Sequence, residues 1–322
     1  MKLTNKNLAI LSGVLVALFI TTRYFKNNNN NKNLLDTTVI AIDTTMVSKF
    51  EIIKPLNKEA PITCSRASGT WEITQNNITG AIKSATLKNI LTQLKSLKVT
   101  RLVTKSKNAW KKYQLADTMA TKVRITQNGT SKELFLGKIK FNPPTGQRSY
   151  NSQNISGGTY FRVDDSPNVY FTEGMLSNDF NRPFNAWRNN DFAKLKKEDI
   201  SQIRFKYLDG KSFVLQKKDS LWSIDEQLVD TNKVNQYLRQ LSNKSNNNFN
   251  DSYTAKTAPD YQITVLANST EMLTIKSYKD SLTPTFYLKS SQNPKVFFES
   301  DPMGVQKELF VDQHNFATAI AN

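Results

Sequence analysis

The chain has 322 residues, which at roughly 100–200 residues per domain suggests two domains and a small addition. Hydrophobic residues make up 38% and aromatics 10%, enough for a packed core, so a wholly disordered chain is excluded. Lysine and arginine number 44 against 27 aspartates and glutamates, a formal charge of +17. One cysteine, Cys64, excludes an intramolecular disulfide and a multi-cysteine zinc site; one histidine, His314, excludes multi-histidine metal sites.

Lys2 and Lys6 precede a low-polarity run from Leu8 to Ile20, followed by Thr21, Thr22, Arg23, Tyr24, Phe25 and Lys26. Residues 8–25 would make roughly 27 Å of helix, close to the minimum for a span, with Tyr24 and Phe25 at the interface. The competing reading is a cleaved signal peptide, but no A-x-A spacing follows Ile20. An uncleaved, N-in anchor over residues 1–26 is therefore expected, with the rest of the chain outside. Five asparagines from Asn27 to Asn31, then Lys32 and Asn33, read as a solvated linker over 27–36. Ten flexible residues reach only about 17 Å, which would keep the folded part near the bilayer.

The remainder reads twice. In the second half, Ile203 to Tyr207 alternates apolar and polar, Asp209 and Gly210 turn the chain into Ser212 to Leu215, and Leu221 to Ile224 follows. Val234, Tyr237, Leu238 and Leu241 then sit at helical spacing. The first half runs in the same order: Val47 to Ile53, Pro61 to Cys64, Thr70 to Ile73, then a helix presenting Leu87, Ile90, Leu91, Leu94 and Leu97. The two helices match at a constant offset of 147.

Downstream, Lys122 to Thr126, the Asn128-Gly129 turn and Glu133 to Leu136 predict a hairpin. Its partner is Tyr261 to Thr264, Asn268-Ser269 and Glu271 to Thr274, aligned at an offset of 138 on Glu133 and Glu271. Thr159 to Arg162 and Val169 to Phe171 align with Thr285 to Leu288 and Val296 to Phe298. Trp71 and Trp222 fall at equivalent places and are expected as core anchors under the helices. An extra loop from Phe141 to Gly158 and a junction near Asn181 to Asp191 complete the outline. The fold class is α+β: an N-terminal transmembrane helix, then two tandem repeats, 37–191 and 192–322, each an antiparallel sheet with one packed helix.

Trp110, Tyr113, Gln114, Leu115 and Asp117 form one string; a strand pair ends in Leu136 and Gly137. Gly158, Tyr160 and Val163 lead to Val169 and Tyr170, and Trp187 to Asp191 precedes a lysine-rich stretch and Asp199-Ile200. Together these resemble the bacterial family called domain of unknown function 4340. Its members often show a Tyr-Gly-Leu-Asp motif, a strand ending in Ile-Gly and a Tyr-Val-Arg…Val-Tyr pair. Here Gln114 stands where glycine is common, and Ala116 precedes the aspartate. The resemblance runs from roughly Glu51 to Phe310. It implies a membrane-anchored protein similar to companions of ABC-type transport systems of the gliding-motility kind, in Bacteroidetes-like bacteria. It brings no catalytic residue with it.

Chemistry-bearing patterns are sparse. His314 has Asp312 nearby, but no nucleophile elbow exists and the segment lies at the chain end, so a surface histidine is expected. Cys64 falls in a predicted strand and reads as a buried structural thiol. Gly157-Gly158 precedes a strand, not a helix, so no phosphate-binding loop is present. Asp164-Asp165 reads as a turn. No catalytic residue, metal or cofactor is expected.

Charge is the remaining unusual property. Residues 81–150 contribute +13 of the +17, and the densest part is Lys98, Arg101, Lys105, Lys107, Lys111 and Lys112, with Trp110 and Tyr113 among them. A solvated basic face competes with attraction to an anionic membrane or envelope polymer; the latter makes Lys98, Arg101, Lys105, Lys107, Trp110, Lys111 and Lys112 the candidate binding residues. Nucleic acid is disfavoured, because no recognised module surrounds them. The expected role is a non-enzymatic accessory or scaffold subunit beside an ABC-type permease and ATPase, on the periplasmic side of a bacterial inner membrane. A binding module for anionic polymer or lipid headgroups is the alternative.

Overall fold

The computed structural model describes residues 39–56, 59–67, 69–142, 156–255 and 258–318, with Phe19 and Thr21. The expected anchor over 8–25 and the linker over 27–36 lie outside the described residues, apart from Phe19 and Thr21, which are helical. Among the described residues no helix is long and apolar enough to cross a membrane. By contacts the described chain divides into two compact units, one from 1–58 and 90–181, the other from 59–89 and 182–322.

The elements of the first copy are β1 (Val47–Ile53), β2 (Ile62–Ala67), β3 (Thr70–Gln75), β4 (Ile78–Ala81), α1 (Ser84–Lys95), β5 (Arg101–Thr104), β6 (Thr121–Gln127), β7 (Thr130–Asn142), β8 (Ser156–Val163), β9 (Val169–Glu173) and the short α2 (Leu176–Phe180). After β10 (Asp191–Lys194) the second copy follows: β11 (Gln202–Tyr207), β12 (Phe213–Lys218), β13 (Leu221–Ile224), β14 (Gln227–Leu228), α3 (Thr231–Ser242), β15 (Asn243–Ser245), β16 (Phe249–Asn250), β17 (Tyr261–Ala267), β18 (Thr270–Lys279), β19 (Phe286–Ser290), β20 (Phe297–Ser300) and α4 (Val305–Leu309). The first sheet runs β4-β3-β2-β1-β6-β7-β8-β9-β5 and the second β14-β13-β12-β11-β17-β18-β19-β20-β16. These are one topology written twice. In each, the next strand of the sheet after the long helix, β5 or β16, lies at the far edge, while β15 between α3 and β16 pairs with β10.

The turns are repeated as well. Asn76-Asn77 and Asp225-Glu226 link the third and fourth strands of the two copies, and Asn128-Gly129 and Asn268-Ser269 the sixth and seventh; all eight residues have positive φ. Two consecutive left-handed residues give the tight turn whose twist suits a hairpin.

That shared turn corrects the alignment read from the sequence. Asn128 and Asn268 lie 140 apart, not 138, and a register shift at Val265/Leu266 adds one residue to the second copy's ladder. Arg162 lies opposite Phe135, and Lys289 opposite Lys276. The partner of Arg162 is therefore Lys289, one residue beyond the expected Leu288. In a strand, one residue is the difference between the two faces.

In the second copy, α3 packs its apolar face against the sheet. Asp230 caps it by accepting from the backbone of Asn232 and Lys233, and Val234, Tyr237, Leu238 and Leu241 are all buried. They join Phe205, Leu215, Trp222, Ile263 and Phe298 in one core, each large side chain contributing about 1.5–3 kcal/mol. In the first copy Ile90 and Leu94 are buried on α1, Leu97 is buried beyond its end, and Leu87 and Leu91 are half-buried. The equivalence of the tryptophans fails: counted from the shared turns, core Trp222 corresponds to buried Ile73, and Trp71 lies two residues earlier and is half-buried. The expected extra loop is partly strand, since β7 and β8 pair as far as Asn142 and Ser156.

Candidate functional site

The six cations of the candidate site lie on one continuous stretch of the first unit, at the edge of the first sheet. Leu97 and Val99 are buried, so Lys98 and Thr100 between and after them are turned out. β5 then pairs with β9, placing Arg101 opposite Phe171, with its guanidinium 4.9 Å from the ring centre. The next residues form two 3-10 turns, Lys107–Ala109 and Lys111–Tyr113. Side chains three apart eclipse in such turns, so Trp110 and Tyr113 share the inward side while Lys111 and Lys112 face solvent. The same spacing lays Lys107 over Trp110, its Nζ 5.3 Å from the ring centre.

Lys98, Arg101, Lys105, Lys107, Lys111 and Lys112 are all exposed. Among the described residues none of the six is paired with a carboxylate. Trp110 differs from its six companions, because its indole is turned into the protein.

What holds this segment is a residue the charge pattern did not single out. Arg162 is fully buried, sandwiched between Trp110 at 3.9 Å and Phe135 at 3.3 Å from the ring centres. Its Nε donates to the Leu115 carbonyl at 3.0 Å, one terminal nitrogen donates to the Asp164 carbonyl, and the other to the Asp117 carboxylate. Burial lowers the guanidinium from its ordinary value while Asp117 opposes the change, and an arginine so placed stays charged. Tyr113 packs beside it at a tilt on Tyr160, ring centres 4.5 Å apart, and Tyr160 meets Phe171 at 5.1 Å.

This cluster explains the string that carried the family resemblance. Gln114 has φ +56, the left-handed region, which is why glycine suits that position. A Cβ on Gly137 would lie 2.3 Å from the Tyr113 carbonyl, and one on Gly158 2.1 Å from the Phe171 ring, so both glycines let the segment pack down. Trp110, Tyr113, Leu115, Asp117, Gly137, Tyr160 and Val169, scattered over sixty residues, thus meet around one guanidinium. The Asp164-Asp165 turn is part of it: Asp164 has positive φ and accepts from the Glu133 backbone at 2.8 Å.

The string at the junction has its own centre in the second unit. Arg188, nearly buried, makes a two-pronged pair with Asp251 at 2.7 and 2.6 Å and lies 4.2 Å from the Phe249 ring centre. Trp187 beside it is fully buried. Cys64 is buried, and burial pushes its thiol well above the ordinary value. His314 is exposed, with its backbone donating to Asp312. Among the described residues no group of three histidines, cysteines or carboxylates could hold a metal.

The structure is a duplicated antiparallel sheet, and the residues of the family strings build its packing. The chain matches the family described as Domain of unknown function (DUF4340) over residues 71–264, well over half its length, and belongs to that family. The match begins in β3 and ends in β17, so it takes in parts of both copies. Comparison with curated proteins and with solved structures gives no match.

Proposed function

We propose that this protein is a membrane-anchored, non-enzymatic accessory or scaffold subunit of an ABC-type transport complex, working on the periplasmic side. The observation that carries the scaffold reading is the identical nine-strand order of the two sheets, which provides two rigid platforms on one chain. The arginine, glycine and aromatic residues of the family strings are spent on packing, in keeping with a module whose surface does the work. The transport setting is supported by the resemblance of those strings. Edge strands β14 and β16, of two residues each, are too short for strand addition, so on the second sheet side-chain surfaces carry the docking. Crosslinking in native membranes, solubilisation and identification of bound proteins tests this. An ATPase and a permease in fixed proportion are expected; recovery of no stable protein partner would overturn it.

A second reading, binding of an anionic partner through the basic segment, is favoured by the six exposed cations that no carboxylate neutralises among the described residues.

A further inference from the structure

We infer that residues 98–112 rest on the headgroup plane of an anionic phospholipid bilayer, an inference that rests on the second reading above and commits it to one partner. Three features choose lipid over a polymer. Five of the six cations are lysines, compact point charges suited to a diffuse anionic plane, where specific phosphate recognition favours arginine forks. The two aromatic rings of the segment are already engaged: Trp110 lies against Arg162, and Tyr113 against Tyr160. A single-stranded nucleic acid would need such rings free for stacking. The cations also sit on a sheet edge and two outward-facing turns, a projecting rim that meets a plane more readily than a strand-like polymer.

Arg162 gives the rim its rigidity. It bonds the Leu115 and Asp164 carbonyls and the Asp117 carboxylate, so the segment does not have to be ordered when it meets the membrane. The expected anchor and short linker would hold the rim close to the surface it binds. Arg101 on the edge strand β5, flanked by Lys98 and Lys105, also guards against edge-to-edge pairing, and a sheet could carry these charges for that reason alone. The two roles separate by experiment.

The full-length protein is reconstituted in neutral phosphatidylcholine vesicles and in vesicles containing about 30% phosphatidylglycerol, the surface charge that attracts basic segments. A membrane-impermeant acylating reagent is applied, and modification of each lysine is followed by mass spectrometry. Acylation of Lys105, Lys107, Lys111 and Lys112 is expected to slow by about fivefold on the anionic vesicles only, and to recover in about 0.5 M salt. Exposed Lys206 and Lys211 of the second copy serve as controls and keep their rates. The Lys111→Glu, Lys112→Glu variant, with an unchanged unfolding midpoint, should lose the protection at Lys105 and Lys107.

Equal rates on both vesicles would overturn the inference and leave the cations as edge guards. Stronger protection by soluble polyphosphate over neutral vesicles than by the anionic vesicles would overturn it in favour of a polymer. Flotation after an alkaline wash reports on the anchor independently. A chain that leaves neutral vesicles there refutes the anchor, while salt-sensitive protection on anionic vesicles still decides the lipid question.

Discussion

The two copies share a strand order and differ in how the back of each sheet is closed. In the second copy, Tyr253 follows the edge strand β16 and stacks on Tyr287, ring centres 3.9 Å apart, with Tyr278 and Phe297 beside it. In the first copy a longer segment follows β5, and Tyr113 packs at a tilt of 39° on Tyr160, the counterpart of Tyr287. The tyrosine pair is common to both. Among the described residues, the buried arginine behind the sheet, the two 3-10 turns after the edge strand and the row of lysines are found in the first. One architecture therefore serves once as a well-packed core and once as a mount for a charged rim.

The largest effect should come from the core that the second copy completes. Trp222→Ala removes a buried ring under α3 and is expected to cost about 3–5 kcal/mol. Trp71→Ala, at the half-buried tryptophan of the first copy, should cost less than half as much. Denaturant midpoints of the two variants measure the difference. Equal costs would mean that Trp71 is a core anchor after all.

Arg162→Lys installs the residue that the second copy carries at Lys289. A lysine cannot span the Leu115, Asp164 and Asp117 acceptors or fill the slot between two rings, so about 2–4 kcal/mol should be lost. Hydrogen exchange should rise across residues 105–117 and stay unchanged in the second copy. Lys289→Arg, whose side chain is half-buried against the Phe297 ring at 4.6 Å, should change stability by less than about 0.5 kcal/mol. A large loss there would show that the second copy uses its cation as the first does.

Gly137→Ala sharpens the comparison from the backbone side. Its counterpart by register, next to Ser277, is Tyr278, so the second copy accepts a full side chain where the first accepts none. The new methyl would collide with the Tyr113 carbonyl and lift the segment, costing about 1–3 kcal/mol. Faster amide exchange across residues 113–117 at unchanged exchange in the second copy would report the lift.

Much of this was legible in the chain. Period-two runs such as Ile203 to Tyr207, the Asn128-Gly129 turn and the 147-residue offset of α1 and α3 mark the repeat because they are local patterns. β5 and β16 were not legible: strands of four and two residues carry no periodicity, and their place at the far edge is set by the sheet. The bulge at Val265/Leu266 was also hidden, and with it the true partner of Arg162. Charge composition pointed to residues 98–112, yet could not show that Trp110 turns inward. That follows from a buried arginine fifty residues away, and arginine in a strand ordinarily reads as exposed.

The smallest expected effect separates the copies by pH. Across β1, β6 and β7, Glu51, Arg124 and Glu133 form a charged row, with Arg124 at 3.3 Å from Glu51 and 2.9 Å from Glu133 and with Lys49 and Lys122 adding to it. The corresponding row of the second copy is Arg204, Thr264 and Thr274, where the two threonine hydroxyls lie 3.3 Å apart. Partial burial raises the affinity of both glutamates for a proton, but their lysine and arginine partners outweigh it and hold both below the ordinary 4.5. A carboxylate depressed on folding stabilises above its unfolded value, and that stability fades as pH falls through the folded value. Each half-buried pair contributes up to about 1 kcal/mol. Lowering the pH from 6 towards 3 should therefore weaken amide protection in β1 and β6 more than in β11 and β17, after correction for intrinsic exchange rates. Glu133→Gln should remove most of that difference while leaving the neutral-pH fold intact.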